Sequence, residues 1–165
     1  VKVYLAGFDV FRTDAVAHGA YLKKLCNDVG LEGMYPFDNL LPDGLSGSEA
    51  AKWICDANVA MLSRADAVLA NLEAFRGYEP DSGTVFEMGL AVAFDIPVWV
   101  YFPEQGSMRA QIPHDECGYC AHGYMVEDFG LPKNLMLACN WKGMSLTPEQ
   151  AIVELAVFLA RKSDL

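Results

Sequence analysis

Ala67-Val68-Leu69-Ala70, then Asp81-Ser82-Gly83-Thr84-Val85-Phe86-Glu87-Met88-Gly89 running into Leu90-Ala91-Val92-Ala93-Phe94, then Pro97-Val98-Trp99-Val100-Tyr101 set the architecture of this chain. The outer two segments are short apolar runs bounded by turn residues, the pattern of strands buried on both faces. The middle segment opens on small turn-formers and continues as an apolar helix. A strand, a helix and a second strand in so short a span make a parallel crossover unit.

The unit repeats outward. Residues 2–6 alternate as a strand that Gly7 ends. Residues 13–29 read as a helix, capped by Thr13 or Asp14 and stopped by Gly30. Residues 31–35 read as a second strand ended by Pro36, and residues 38–47 as a surface loop. Ser48 is the expected cap of a helix to about Arg64, with Ala51, Ile54, Val59 and Leu62 in its buried stripe. Residues 103–123 read as a loop insertion, and Leu135-Met136-Leu137-Ala138 as the fifth strand. Thr147-Pro148-Glu149-Gln150 starts a last helix reaching about Arg161. This alternation predicts one domain over residues 1–165, of α/β class. The fold is flavodoxin-like (Rossmann-like): a doubly wound five-stranded parallel sheet of order 2-1-3-4-5. Ligands in such sheets bind beyond the carboxyl ends of the strands, expected here near residues 4–7, 35–39, 71–81, 102–105 and 139–141.

Composition narrows the partners. The 165 residues are 53% hydrophobic and 21% charged, with a net charge of −10. An acidic chain with no basic cluster is a poor ligand for nucleic acid or an anionic membrane. No apolar run is long enough for a transmembrane helix, and residues 1–7 read as a strand rather than a signal peptide. The five cysteines form no disulfide framework; Cys55 and Cys139 read as small core residues, and a reducing, cytoplasmic setting is expected.

The chemistry gathers on one rim. Glu87 is expected in or near the first turn of its helix, where unpaired N–H groups and the helix dipole keep a carboxylate ionised. Asp81 lies six residues earlier in the preceding loop, and Tyr4 ends the first strand. A tyrosine hydroxyl can fix the carboxylate's rotamer, and a second carboxylate can accept from substrate hydroxyls. Such a pair suits glycosyl transfer through a covalent glycosyl–enzyme intermediate. The competing reading is a capping box, in which Glu87 reaches back to the Thr84 amide.

Three pieces in order, Val3-Tyr4-Leu5-Ala6-Gly7-Phe8, Ala65-Asp66-Ala67-Val68-Leu69-Ala70-Asn71-Leu72 and Asp81-x-Gly83-Thr84-x-x-Glu87-Met88-Gly89, resemble the nucleoside 2-deoxyribosyltransferases. The resemblance implies cofactor-free, ping-pong transfer of 2-deoxyribose between nucleobases, in nucleoside salvage, with slow hydrolysis on the side. It implies Glu87 as nucleophile, Asp81 as the group binding the sugar 5′-hydroxyl, and Tyr4 as the residue orienting Glu87. It implies a homodimer or larger homo-oligomer with shared active sites, in which Asn134 reaches a neighbouring subunit's sugar. Its substrates are a deoxynucleoside and a free nucleobase. Where the family has an Asp that contacts the base, this chain has Asn58, an amide that cannot act as an acid near neutral pH. Gly7, Gly83, Phe8 and Phe37 complete the candidate binding residues on the rim.

Related activities use similar residues. Deoxynucleoside 5′-monophosphate N-glycosidases carry a Ser where this chain has Asp81, whose carboxylate repels phosphate. Pro80-x-x-Gly83-Thr84-x-x-Glu87 also resembles the loop of cytokinin-activating phosphoribohydrolases, with Asp81-Ser82 in place of glycines. A non-catalytic flavodoxin-like ligand-binding module is a further alternative. His114-x-x-Cys117-x-x-Cys120-x-His122 has metal-ligand residue types, but it is compact for tetrahedral closure, and no metal is expected. The first loop lacks a phosphate cradle, so no flavin or other cofactor is expected.

Overall fold

The computed structural model describes residues 1–103 and 106–163. Glu104 and Gln105, at the expected rim of the fourth strand, lie outside the described residues, as do Asp164 and Leu165. Five strands, β1 (Lys2–Ala6), β2 (Glu32–Met34), β3 (Ala67–Asn71), β4 (Val98–Tyr101) and β5 (Gly143–Ser145), form one parallel sheet in the order β2-β1-β3-β4-β5. The helices are α1 (Ala15–Asp28), α2 (Gly47–Leu62), α3 (Ser82–Ala93), α4 (Met108–Gln111), α5 (Leu135–Ala138) and α6 (Pro148–Ser163). This is the flavodoxin-like order that the alternation predicts.

Strand alternation divides the core. Val3, Leu5 and Leu69 face α1 and α6, packing on Leu22, Cys26, Ile152 and Leu155. Tyr4, Val68, Val98 and Val100 face the other way, packing on Leu62, Met88 and Ala91. The period of two thus sends Tyr4 to the α2–α3 side, toward Glu87.

Residues 135–138 are not the fifth strand. Asn134 Oδ1 accepts from the Met136 N–H at 2.9 Å and caps a single helical turn. Four apolar residues in a row have no period that separates strand from helix. The edge strand is β5, and its Gly143 is a packing requirement: the Trp99 indole covers it, and a Cβ there would lie 2.2 Å from the ring. The rim of this strand is therefore near residues 145–147, not 139–141.

α2 starts at Gly47 with Ser46 as its N-cap, which leaves Ser48 inside the first turn. Only its last two residues are fully buried. Met61 and Leu62 enter the core, whereas Ala51 is exposed and Ile54 is 45% exposed. Cys55 follows Ile54 on the uncovered part of the helix, and Cys139 ends α5; both are exposed, contrary to expectation. Among the described residues no helix is long and apolar enough to cross a membrane.

Candidate active site

The motif Asp81-x-Gly83-Thr84 is a helix start with a physical reason at each position. Asp81 is the N-cap of α3, and its Oδ2 accepts from the Thr84 N–H at 2.9 Å and from Thr84 Oγ1 at 3.0 Å. Gly83 leaves room for this carboxylate, since a Cβ there would stand 3.0 Å from Asp81 Oδ2. Oδ1 of Asp81 takes no hydrogen bond from the described residues and remains available as an acceptor.

The cap displaces the capping-box reading. Thr84 already has its partner in Asp81, so Glu87 is not needed at its amide. Glu87 instead lies in the second turn of α3, on the inward stripe with Thr84, Met88 and Ala91. Tyr4 Oη donates to Glu87 Oε1 at 2.5 Å. Tyr4 is fully buried, so its hydroxyl is fixed by β1 packing.

The electrostatics differ from expectation. Burial pushes the Glu87 carboxyl up to about 7, the Tyr4 hydrogen bond opposes that rise, and the nearby Asp81 charge adds to it. Glu87 is thus divided between its two forms near neutral pH, not held fully ionised by the helix terminus. Burial, and then the Glu87 charge and hydrogen bond, hold the Tyr4 hydroxyl well above its ordinary value, so it stays a donor.

A cavity of about 450 Å³ opens beside this pair. Glu87, Asp81 and Gly83 come from α3, Gly7 from the end of β1, Phe37 from the loop after β2, and Asn58 from α2. Six of the nine residues expected at a site therefore share one cavity, with Tyr4 behind Glu87. Phe8 does not line it: its ring stacks on Phe75 at 5.0 Å. Asn134 does not line it either. Its Nδ2 donates to Glu127 Oε1, and Glu127 Oε2 accepts from the Leu135 N–H at 2.9 Å. Phe11, Leu41 and Ile54 supply further apolar wall. Ile54 was legible as one of the stripe residues of α2, but only the fold shows that its face is open.

Asp9 was also missed. It is 4% exposed and lies beneath Gly7. It accepts from Asn71 Nδ2 at 3.0 Å and Tyr101 Oη at 3.4 Å, and its Oδ1 is 3.2 Å from His18 Nε2. A Cβ on Gly7 would meet Asp9 Oδ2 at 2.5 Å. Asp9 thus pins the 3-10 turn Phe8–Phe11, which carries two residues of the cavity wall, Val10 and Phe11. Asp9→Ala strands buried donors of Asn71 and Tyr101. We expect a loss of about 3 kcal/mol in denaturant unfolding; a loss below about 1 kcal/mol contradicts this role.

The second half of the His114–His122 segment lies in a tight turn between Tyr119 and Met125, which are joined by an isolated antiparallel bridge. His114 Nδ1 lies 2.8 Å from the Ile112 carbonyl, and Asp115 accepts from the Cys117 and Tyr119 amides. Among the described residues no three His, Cys, Asp or Glu side chains are grouped to hold a metal.

Residues 3–136 match the family model described as nucleoside 2-deoxyribosyltransferase. A solved 2-desoxiribosyltransferase from Leishmania mexicana is 30% identical, covering 94% of this chain and 97% of its own, with a TM-score of 0.77. A 2-deoxyribosyltransferase from Bacillus psychrosaccharolyticus shares the fold at 18% identity, covering 91% and 89%, with a TM-score of 0.60. An uncharacterized protein of Schizosaccharomyces pombe is 33% identical over 99 residues, which are 58% of this chain and 47% of that protein. The chain thus spans about half the length of this curated relative. With the family model matching most of the chain and the Leishmania structure matching nearly all of it, the chain belongs to the nucleoside 2-deoxyribosyltransferase family.

Proposed function

We propose that this chain transfers 2-deoxyribose between nucleobases through a covalent deoxyribosyl–Glu87 intermediate. The observation that carries the reading is a half-buried carboxylate, held by the Tyr4 hydroxyl, at the edge of a nucleoside-sized cavity. Glu87 Oε2, the oxygen that Tyr4 does not hold, attacks C1′ as the C1′–N bond breaks. That bonding pair leaves with the base, which takes its proton from water. The ring nitrogen of an incoming base then attacks C1′ and gives up its N–H proton to water, the C1′–Oε2 bond breaks, and the carboxylate returns. Two inversions give retention. Water in place of the second base gives slow hydrolysis.

The transition state is oxocarbenium-like, so an anion beneath C1′ stabilises the charge before the bond forms. A carboxyl of raised pKa, half ionised near neutral pH, is also a more basic nucleophile than an exposed one. Asp81 Oδ1 accepts the sugar 5′-hydroxyl. The same carboxylate disfavours a 5′-phosphate, so nucleosides rather than monophosphates are the substrates. No cofactor takes part. The setting is nucleoside salvage in the cytoplasm.

A homo-oligomer is part of this proposal. α3 is apolar on its outward face too, with Phe86 57% and Val92 37% exposed, and Phe94 beyond it 46% exposed. A helix apolar all round is one that an assembly covers.

Thymidine and thymidine monophosphate, each offered with a free base, test the reading. Base exchange from thymidine is expected, and exclusive use of the monophosphate contradicts it. Asp81 is separable: Asp81→Ala should cost about 1 kcal/mol of stability through the lost cap, whereas Asp81→Asn keeps the cap. Both should raise KM for a 5′-hydroxylated deoxynucleoside by about tenfold or more, and an unchanged KM in both removes Asp81 from substrate binding.

A further inference from the structure

One wall of the cavity carries two amides. Asn39 comes from the loop after β2 and Asn58 from α2, and Asn39 Nδ2 donates to Asn58 Oδ1 at 3.1 Å. Neither Asn58 Nδ2 nor Asn39 Oδ1 is engaged by the described residues. The pair therefore offers the cavity one amino group as donor and one carbonyl acceptor. Turning both amides by half a revolution preserves a bond between them, with Asn58 now the donor, and exchanges the outward donor and acceptor.

We infer that Asn39 and Asn58 form a reversible donor–acceptor edge that reads the nucleobase and admits 6-amino and 6-oxo bases alike. This rests on the deoxyribosyl-transfer reading above. Adenine presents an amino donor beside the N1 acceptor. Hypoxanthine presents an O6 acceptor beside the N1–H donor, the same edge with its roles exchanged. Cytosine and uracil differ in the same way. A fixed edge complementary to one of each pair would leave the other facing unpaired polar groups, which is how polar sites discriminate strongly. The reversible pair removes that penalty. The surrounding wall of Phe11, Phe37, Leu41 and Ile54 packs on any base face without preference. Both amides are uncharged, so they add no titration of their own to this recognition.

The test compares adenine, hypoxanthine and guanine as acceptor bases, and as free ligands by equilibrium dialysis, at pH 8. The proteins are wild type, Asn58→Asp and Asn39→Asp. Wild type is expected to use adenine and hypoxanthine within about tenfold of each other in kcat/KM; a larger preference overturns the inference. In either variant the remaining amide donates to the new carboxylate, and the cavity then presents two acceptors. Adenine and hypoxanthine each lose one hydrogen bond, whereas guanine keeps two through N1–H and the 2-amino group. The guanine-to-hypoxanthine ratio should rise about ten- to a hundredfold. A ratio unmoved in both variants overturns the inference, and dialysis reads it even where turnover is lost. Base exchange that persists with unmoved ratios removes only the amide pair. Wild-type protein that turns over no deoxynucleoside removes the transfer reading and this inference with it.

Discussion

Glu87→Gln is expected to lower base exchange by about ten-thousand-fold or more while making the protein more stable. The loss follows from removing the attacking oxygen; a neutral amide neither stabilises an oxocarbenium ion nor bonds to it. The gain follows from linkage. Burial raises the Glu87 carboxyl from 4.5 to about 7 on folding. A carboxyl so raised favours the folded state's protonated form. Its penalty is absent below pH 4.5, grows as pH rises from 4.5 to 7, and is constant above. At pH 8 the penalty is about 3 kcal/mol, so the variant should melt roughly 6–10 °C higher there. At pH 4 the two proteins should melt together. An equal gain at both pH values would mean that the amide merely packs better. No gain at pH 8 would mean that the wild-type carboxylate is not strained.

The pH profile of the wild type carries the second large effect. Attack requires the carboxylate, so kcat/KM should climb about tenfold per pH unit below 7 and level off above about 8. Tyr4 is the lever on this curve. Its hydroxyl bond to Oε1 lowers the Glu87 pKa against the effect of burial. Tyr4→Phe should therefore move the inflection upward. At pH 6.5 it should cost about tenfold to a hundredfold, the worth of a hydrogen bond to a charged group. At pH 9 much of the activity should return. A loss that persists undiminished at pH 9 would assign Tyr4 to holding the rotamer alone. A flat profile between pH 5.5 and 8 would contradict Glu87 as the titrating nucleophile.

The sheet was legible because its central strands are continuous apolar runs. Ala67–Asn71 is buried at every position, as a parallel strand covered on both faces must be. The fifth strand was not legible. Gly143–Ser145 is short and opens on a glycine that only the Trp99 ring explains, while the more apolar residues 135–138 coil into one turn. Local hydrophobicity favoured the wrong segment because the deciding contact is with β4.

The site divides in the same way. Asp81, Gly83 and Glu87 are carried by one helix start, so their grouping was visible in the chain. Tyr4 joined them through strand parity. Glu87 also broke the apolar stripe of α3, a local inconsistency of the kind that marks functional positions. Its ionisation was misjudged because sequence reveals the helix terminus but not burial, and burial dominates. Asn39 and Asp9 could not be ranked from sequence, since their partners Asn58, Asn71 and Tyr101 are distant in the chain. Phe8 was a binding candidate because it flanks the rim loop after β1. The 3-10 turn instead stacks it on Phe75 and brings Phe11 to the cavity.

The central claim is a covalent bond between Glu87 and deoxyribose. Wild-type protein is mixed with a 2′-deoxynucleoside without acceptor base, quenched in acid, and examined by intact-mass and peptide mass spectrometry. The account predicts one deoxyribosyl adduct per chain, located on Glu87, formed as free base is released and discharged when a second base is added. Turnover of the deoxynucleoside with no adduct, or with an adduct on another residue, would contradict it.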